Sequence, residues 1–176
     1  MNIYEVKTRT PLLLQSLLAV WEDSVRATHL FLSDGEVKRI KEYVPRALEG
    51  VARLVVAERE PDVPAAFMGV EDGRLEMLFL SPAERGRGLG KQLLRAAIED
   101  YGVREVTVNE QNPQAVGFYE HCGFVTCRRT SHDEEGNPYP LLYMRLGDYA
   151  RLAVLVMSGI RLNLKYYERD SLWNTG

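Results

Sequence analysis

The chain has 176 residues, 45% of them hydrophobic and 27% charged, which suits one globular domain with a sizeable core. A net charge of −3 argues against nucleic acid as a partner, because gripping a phosphate backbone takes a basic face. Two cysteines (Cys122 and Cys127) and three histidines without ligand spacing exclude a disulfide scaffold and imply no metal centre.

Ile3 to Lys7 predicts a first strand. Thr10-Pro11 opens a helix, with Thr as N-cap and Pro in its first turn. It runs to about Ala27, with Leu13, Leu14, Leu17, Leu18, Trp21 and Val25 inward. Its apolar start faintly imitates a secretory leader, but Gln15 and Ser16 interrupt it and Trp21-Glu22-Asp23 follows, so a folded helix is expected. No other run has the length of a membrane span. A cytoplasmic protein without a membrane partner is the expectation. Ser33-Asp34 opens a second helix to about Glu49, ended by Gly50 and kinked or split at Pro45.

Arg53 to Glu58 predicts a strand, Pro61 to Pro64 a loop, and Ala65 to Val70 the next strand. Asp72-Gly73 signals a two-residue hairpin into a strand over 74–80. Ser81-Pro82 stops that strand. From Leu89 the apolar period changes, and Leu89, Leu93, Leu94, Ala97, Ile98 and Tyr101 share one helical face. A strand at Glu105 to Asn109 follows, then a short helix from Asn112-Pro113 to His121. Strands at Val125 to Thr130 and Leu141 to Leu146 flank a turn at Glu135 to Pro138. Beyond it, Ile160, Leu162, Leu164 and Tyr166 alternate with polar residues. With Ser158-Gly159 as a turn, 147–176 reads as a C-terminal extension forming a β-hairpin, added to the sheet or exchanged in a homodimer. A short helix over 149–157 capped by Asp148 is the alternative.

Strand, glycine-rich basic loop, helix is a physical recipe for holding a phosphate. Gly86, Gly88 and Gly90 alternate with Arg85, Arg87 and Leu89 and lead into Lys91. The first turn of a helix leaves N–H groups without partners, and its dipole favours an anion. The loop is one residue short of a Walker A loop, and Gln92 replaces the required hydroxyl. It also lacks the third glycine of a dinucleotide fingerprint.

Arg85-Gly86-Arg87-Gly88-Leu89-Gly90 does match the [QR]-x-x-G-x-[GA] loop that binds acyl-coenzyme A in the GCN5-related N-acetyltransferases. Asn112-Pro-Gln-Ala-Val-Gly-Phe-Tyr-Glu-His-Cys-Gly-Phe124 resembles a second segment of that family. Trp21 to Leu32 is similar to a stretch of its small bacterial YjaB-like branch. The resemblance covers residues 3–146 and implies a mixed central sheet with helices on both faces, an α/β GNAT fold in a domain over 1–146. It also implies transfer of an acetyl group from acetyl-CoA, as co-substrate, to an amine.

A primary amine of pKa about 10.4 is mostly protonated at neutral pH, and removing the proton costs roughly 4–5 kcal/mol. A general base is therefore useful, and Glu76 is the candidate as the sole acid in the 74–80 strand. The family resemblance implies a bulged strand there, with Leu78, Phe79 and Leu80 along the pantetheine arm and backbone N–H groups at the oxyanion. It also implies Tyr119 as general acid and Asn112 against the pantetheine portion, although Asn112 could serve as a helix cap alone. Trp21, Thr28 and His29 fall where the fold borders the acceptor pocket, and His29 is an auxiliary base candidate. The acceptor itself, from small amines to peptides, is left open, as is an acyl-CoA-binding sensor or interaction module without turnover.

Overall fold

The computed structural model describes residues 1–148. The expected C-terminal hairpin, its role in a dimer, and the alternative helix over 149–157 lie outside the described residues. Seven strands form one sheet: β1 (Asn2–Glu5), β2 (Arg53–Glu60), β3 (Val63–Glu71), β4 (Arg74–Leu80), β5 (Glu105–Asn109), β6 (Phe124–Thr130) and β7 (Leu141–Leu146). Their spatial order is β1-β2-β3-β4-β5-β7-β6, and β4 with β5 is the one parallel pair among the described strands. The helices are α1 (Pro11–Thr28), α2 (Asp34–Lys41), α3 (Val44–Gly50), α4 (Leu89–Glu99) and α5 (Pro113–His121).

Local chemistry sets the helix ends. Thr10 caps α1 by accepting from the Leu13 N–H at 3.3 Å. Ser33 and Glu36 form a reciprocal capping box on α2. The helix expected over 34–49, kinked or split at Pro45, is split into two, because Pro45 cannot donate in mid-helix but fits the first turn of a new one. Asp72 and Gly73, with φ of 46° and 74°, make the two-residue turn between β3 and β4. The loop expected over 61–64 shrinks to Pro61-Asp62, and β3 already begins at Val63. Pro64 is tolerated inside β3 because it pairs with Glu58 where β2 shifts register.

The alternation of β2 divides the core. Val55 and Ala57 pack with Leu89, Leu93, Leu94, Ala97 and Ile98 of α4 and with Tyr119 of α5. Leu54 and Val56 pack with Leu14, Leu17, Trp21 and Val25 of α1 and with Val37, Val44 and Leu48 of α2 and α3. Helices therefore cover both faces of the sheet, which is the layered arrangement a largely buried mixed sheet requires.

One irregularity shapes the site. Gly69 pairs with Met77 and Val70 with Leu75, so Glu76 has no partner across β3. This is a β-bulge, and one extra residue reverses which side chains face which core. Leu75 belongs to the α4 side, whereas two residues later Met77 belongs to the α1 side. Leu78 and Leu80 return to the α4 side, and Phe79 to the α1 side. The pairing of β4 with β5 also stops here, since it comprises Arg74 with Glu105 and Leu75 with Val106. Past the bulge the two parallel strands part.

Candidate active site

The parted strands open into a cavity of about 450 Å³. Leu78, Phe79 and Leu80 of β4 form part of its wall. Arg85, Gly86, Gly88, Gly90 and Lys91 contribute from the loop and first turn of α4, and Asn112 and Tyr119 from α5 and its cap. Thr28 and His29 reach it from the end of α1.

The loop has the features of an anion cradle. Gly86 and Gly88 have φ of 72° and 85°, and a Cβ on either would meet nothing within 4 Å. Backbone is thus open to a ligand there, in a conformation that disfavours side chains. Gly88 is the N-cap of α4 and supplies no side-chain cap bond, so the N–H groups of the first turn remain available. Gly90 is helical, and the ring of Phe118 would lie 3.5 Å from an added Cβ, an ordinary contact that alanine satisfies. Arg85 is tied to α5 through Gln114 at 3.3 Å. Lys91 donates to His121 Nε2 at 2.9 Å. Glu84, buried in the short 3-10 turn Pro82–Glu84, pairs with Arg59 of β2 and anchors the loop to the sheet.

Tyr119 is 7% exposed, and burial pushes its phenol well above the ordinary range. It stays protonated at neutral pH, the form a proton donor needs. Phe118 and Phe124 hold its ring edge-on, with centroids 5.1 and 5.8 Å away. Asn112 lines the cavity while accepting from the Ala115 N–H at 3.1 Å, so the helix cap and the cavity wall share one residue.

Four residues expected at the site are not in this wall. Trp21 is buried behind it, edge-on to Phe79 with centroids 6.5 Å apart. It supports the wall from the α1 side, because long apolar side chains at this helix position point into the core. Leu89 is core beneath the loop. Arg87 lies on the exposed side of the loop. Glu76 occupies the bulge, with its side chain 39% exposed and 3.8 Å from Arg74. Burial raises its carboxyl, Arg74 opposes this, and Glu134 and Glu71 add to the rise. Ser24, Glu84, Gln114, Ala115 and Phe118 also line the cavity, although the sequence motifs do not point to them. Ala115, Phe118 and Tyr119 follow Asn112 by helical steps, so the α5 face carries a periodic signal; Glu84 carries none. Among the described residues no group of His, Cys, Asp and Glu could hold a metal ion. No helix among them is long and apolar enough to cross a membrane.

The acetyltransferase (GNAT) domain model matches residues 23–146. The chain belongs to the GNAT acetyltransferase family. It is an acetyl-CoA-dependent N-acetyltransferase. The chain is 41% identical over 128 residues to peptidyl-lysine N-acetyltransferase YjaB of Salmonella typhimurium, covering 73% of this chain and 88% of that one. YjaB of Escherichia coli shares 41% over the same length and is covered to 86%. The solution structure of apo YjaB from Escherichia coli superposes with a TM-score of 0.74 at 37% identity, over 83% of this chain and 98% of that one. The GNAT fold extends to PaiA N-acetyltransferase of Thermoplasma acidophilum, solved with coenzyme A, with a TM-score of 0.59 and 19% identity over 82% of this chain and 99% of that one.

Proposed function

We propose that this GNAT enzyme acetylates lysine side chains of polypeptides by direct transfer from acetyl-CoA. The observation that carries this reading is the wedge between β4 and β5, which leads from the Gly86–Gly90 loop to a wall holding Tyr119 and His29. The name of the YjaB relatives, peptidyl-lysine N-acetyltransferase, supports the acceptor class.

The coenzyme supplies an activated acetyl thioester. Arg85, Lys91 and the first-turn N–H groups of α4 hold its phosphates, with Arg87 adding long-range charge. Leu78, Phe79 and Leu80 take the pantetheine arm together with Asn112. The β4 backbone beyond the bulge, free of β5, offers N–H groups to the oxygen that becomes negative. Tyr119 gives its proton to the departing sulfur. Cys122 and Cys127 are free thiols outside the cavity wall, which supports direct transfer and suits a reducing cytoplasm. Glu76, outside the wall at the bulge with Glu71 and Glu134 in electrostatic range, draws a cationic acceptor toward the cavity.

The test is incubation with acetyl-CoA and a lysine-bearing peptide, measuring free thiol and peptide mass together. Equal yields of thiol and singly acetylated lysine are expected. Thiol released without acetylated peptide would leave a thioesterase and remove the lysine reading.

A further inference from the structure

The incoming ammonium must lose a proton, and the end of α1 presents a group built to take it. His29 caps α1, its backbone N–H donating to the Val25 carbonyl at 2.8 Å. Thr28 Oγ1 lies 2.7 Å from the Ser24 carbonyl oxygen and 2.9 Å from His29 Nδ1. A hydroxyl has one proton to give, and a carbonyl only accepts. The Thr28 proton therefore goes to Ser24, and the hydroxyl meets His29 as an acceptor. Nδ1 must then carry the ring proton. In a neutral imidazole this leaves the lone pair on Nε2.

The ring is also packed. Its centroid is 5.5 Å from that of Phe31, which lies 5.6 Å from that of Tyr139, whose hydroxyl donates to Glu36. Thr28 and His29 line the same cavity as Leu78, Leu80 and Tyr119, whereas Glu76 does not. We propose that His29 Nε2 is the proton acceptor for the amine, and that Thr28 is a positioning residue that fixes its tautomer. This rests on the lysine-acetylation reading above.

The step balances without a further reactant. The lysine ammonium gives one proton to Nε2, and His29 becomes an imidazolium. The freed nitrogen forms a C–N bond to the acetyl carbon, and the C–S bond breaks with its electron pair on sulfur. Sulfur takes a proton from Tyr119, which regains one from the nitrogen as the amide forms. His29 releases its proton to solvent, leaving acetyl-lysine, thiol and one proton.

Burial, and then the Arg85 guanidinium, hold His29 below its ordinary value of 6.5, with the Val25 carbonyl opposing. Its base form is therefore present at neutral pH. The ionisable groups that share its cavity are Glu84 and Arg85 from the loop after β4, Lys91 from α4 and Tyr119 from α5. The Tyr139–Glu36 pair stands behind Phe31.

The test is kcat/KM against pH for the wild type, His29→Asn and Glu76→Gln, with acetyl-CoA and a lysine peptide, beside calorimetric acetyl-CoA affinity. Asparagine keeps an N–H donor for Thr28 and has no base where Nε2 was. His29→Asn is expected to lose roughly 100-fold in kcat at unchanged acetyl-CoA affinity. It also loses the limb that rises as pH climbs through a value below 6.5 in the wild type. Glu76→Gln keeps that limb, and added imidazole restores part of the rate of His29→Ala. Full-rate His29→Asn, or a limb that vanishes in Glu76→Gln instead, overturns the inference and leaves the acetyltransferase reading standing. A wild type that binds acetyl-CoA and acetylates no lysine peptide overturns both.

Discussion

The side of the cavity proposed for the coenzyme comes from two short runs of chain, β4 through the first turn of α4 and the cap and face of α5. The side proposed for the acceptor is put together from remote pieces. The end of α1 supplies Thr28 and His29. Phe31 packs on Tyr139 of the β6–β7 loop, and Tyr139 bonds Glu36 across 103 residues of sequence. The first side relies on backbone: a helix N-terminus, two glycines of positive φ and a strand parted from its neighbour. The second relies on side chains held by other side chains. Backbone recognition suits a ligand that is the same in every turnover, while side-chain assembly is where specificity for one acceptor is set.

The largest effect expected from breaking the coenzyme side comes from Gly88→Asp. A side chain at φ of 85° is strained, at a cost of roughly 1–2 kcal/mol. A carboxylate about 4 Å from a phosphate adds about 4 kcal/mol of repulsion at an effective dielectric of 20. Acetyl-CoA affinity by calorimetry should fall on the order of 1000-fold or more. Retained affinity would place the phosphates elsewhere.

Tyr119→Phe tests the border between the two sides. It keeps the ring contacts with Phe118 and Phe124 and removes the proton. Turnover should drop about 100-fold with little change in coenzyme affinity; an unchanged kcat would dismiss Tyr119 as the acid.

On the acceptor side, Tyr139→Phe cuts the link between the β6–β7 loop and α2. The bond lies close to solvent, where water competes for both partners and its net worth is modest. A KM for the peptide raised a few-fold, with acetyl-CoA affinity intact, is expected in initial-rate kinetics. Equal loss for both ligands would mean that the two sides are not separable.

The smallest effect concerns acid. Hydrogen bonds from Ser33 and then Tyr139 lower the Glu36 carboxyl from 4.5 to about 2. A depressed folded value means that its contribution to stability is fully present above pH 4.5 and fades as pH falls toward about 2. In acid-unfolding curves, Glu36→Gln should flatten the slope in that window and leave it unchanged near neutrality.

Much of this arrangement is legible in the order of the residues. The Asp72-Gly73 turn, the helical face beginning at Leu89 and the Ser33 cap are local rules of backbone and side chain, and they hold in the folded chain. The alternating glycines before Lys91 mark an open turn into α4 for the same reason, since a helix N-terminus is a property of contiguous residues. Pro45 is legible as a break, though not as the start of a new helix.

Other features are settled by tertiary structure. The family resemblance implies a bulge in β4, but its place at Glu76 depends on how β3 pairs with β4, and no residue of β4 declares it. That register decides why Glu76 is not in the cavity wall while Leu78 and Leu80 are. Trp21 sits behind Phe79 because the sheet and α1 meet there. His29 is visible as an imidazole, but its tautomer follows from where a single Thr28 proton goes, and that is set by the last turn of α1. Sequence by itself determined the family and the N-caps of α1 and α2, because these depend on neighbours along the chain. Tertiary structure alone decided the strand register, the membership of the cavity wall and the protonation of the candidate base, because these depend on neighbours across space.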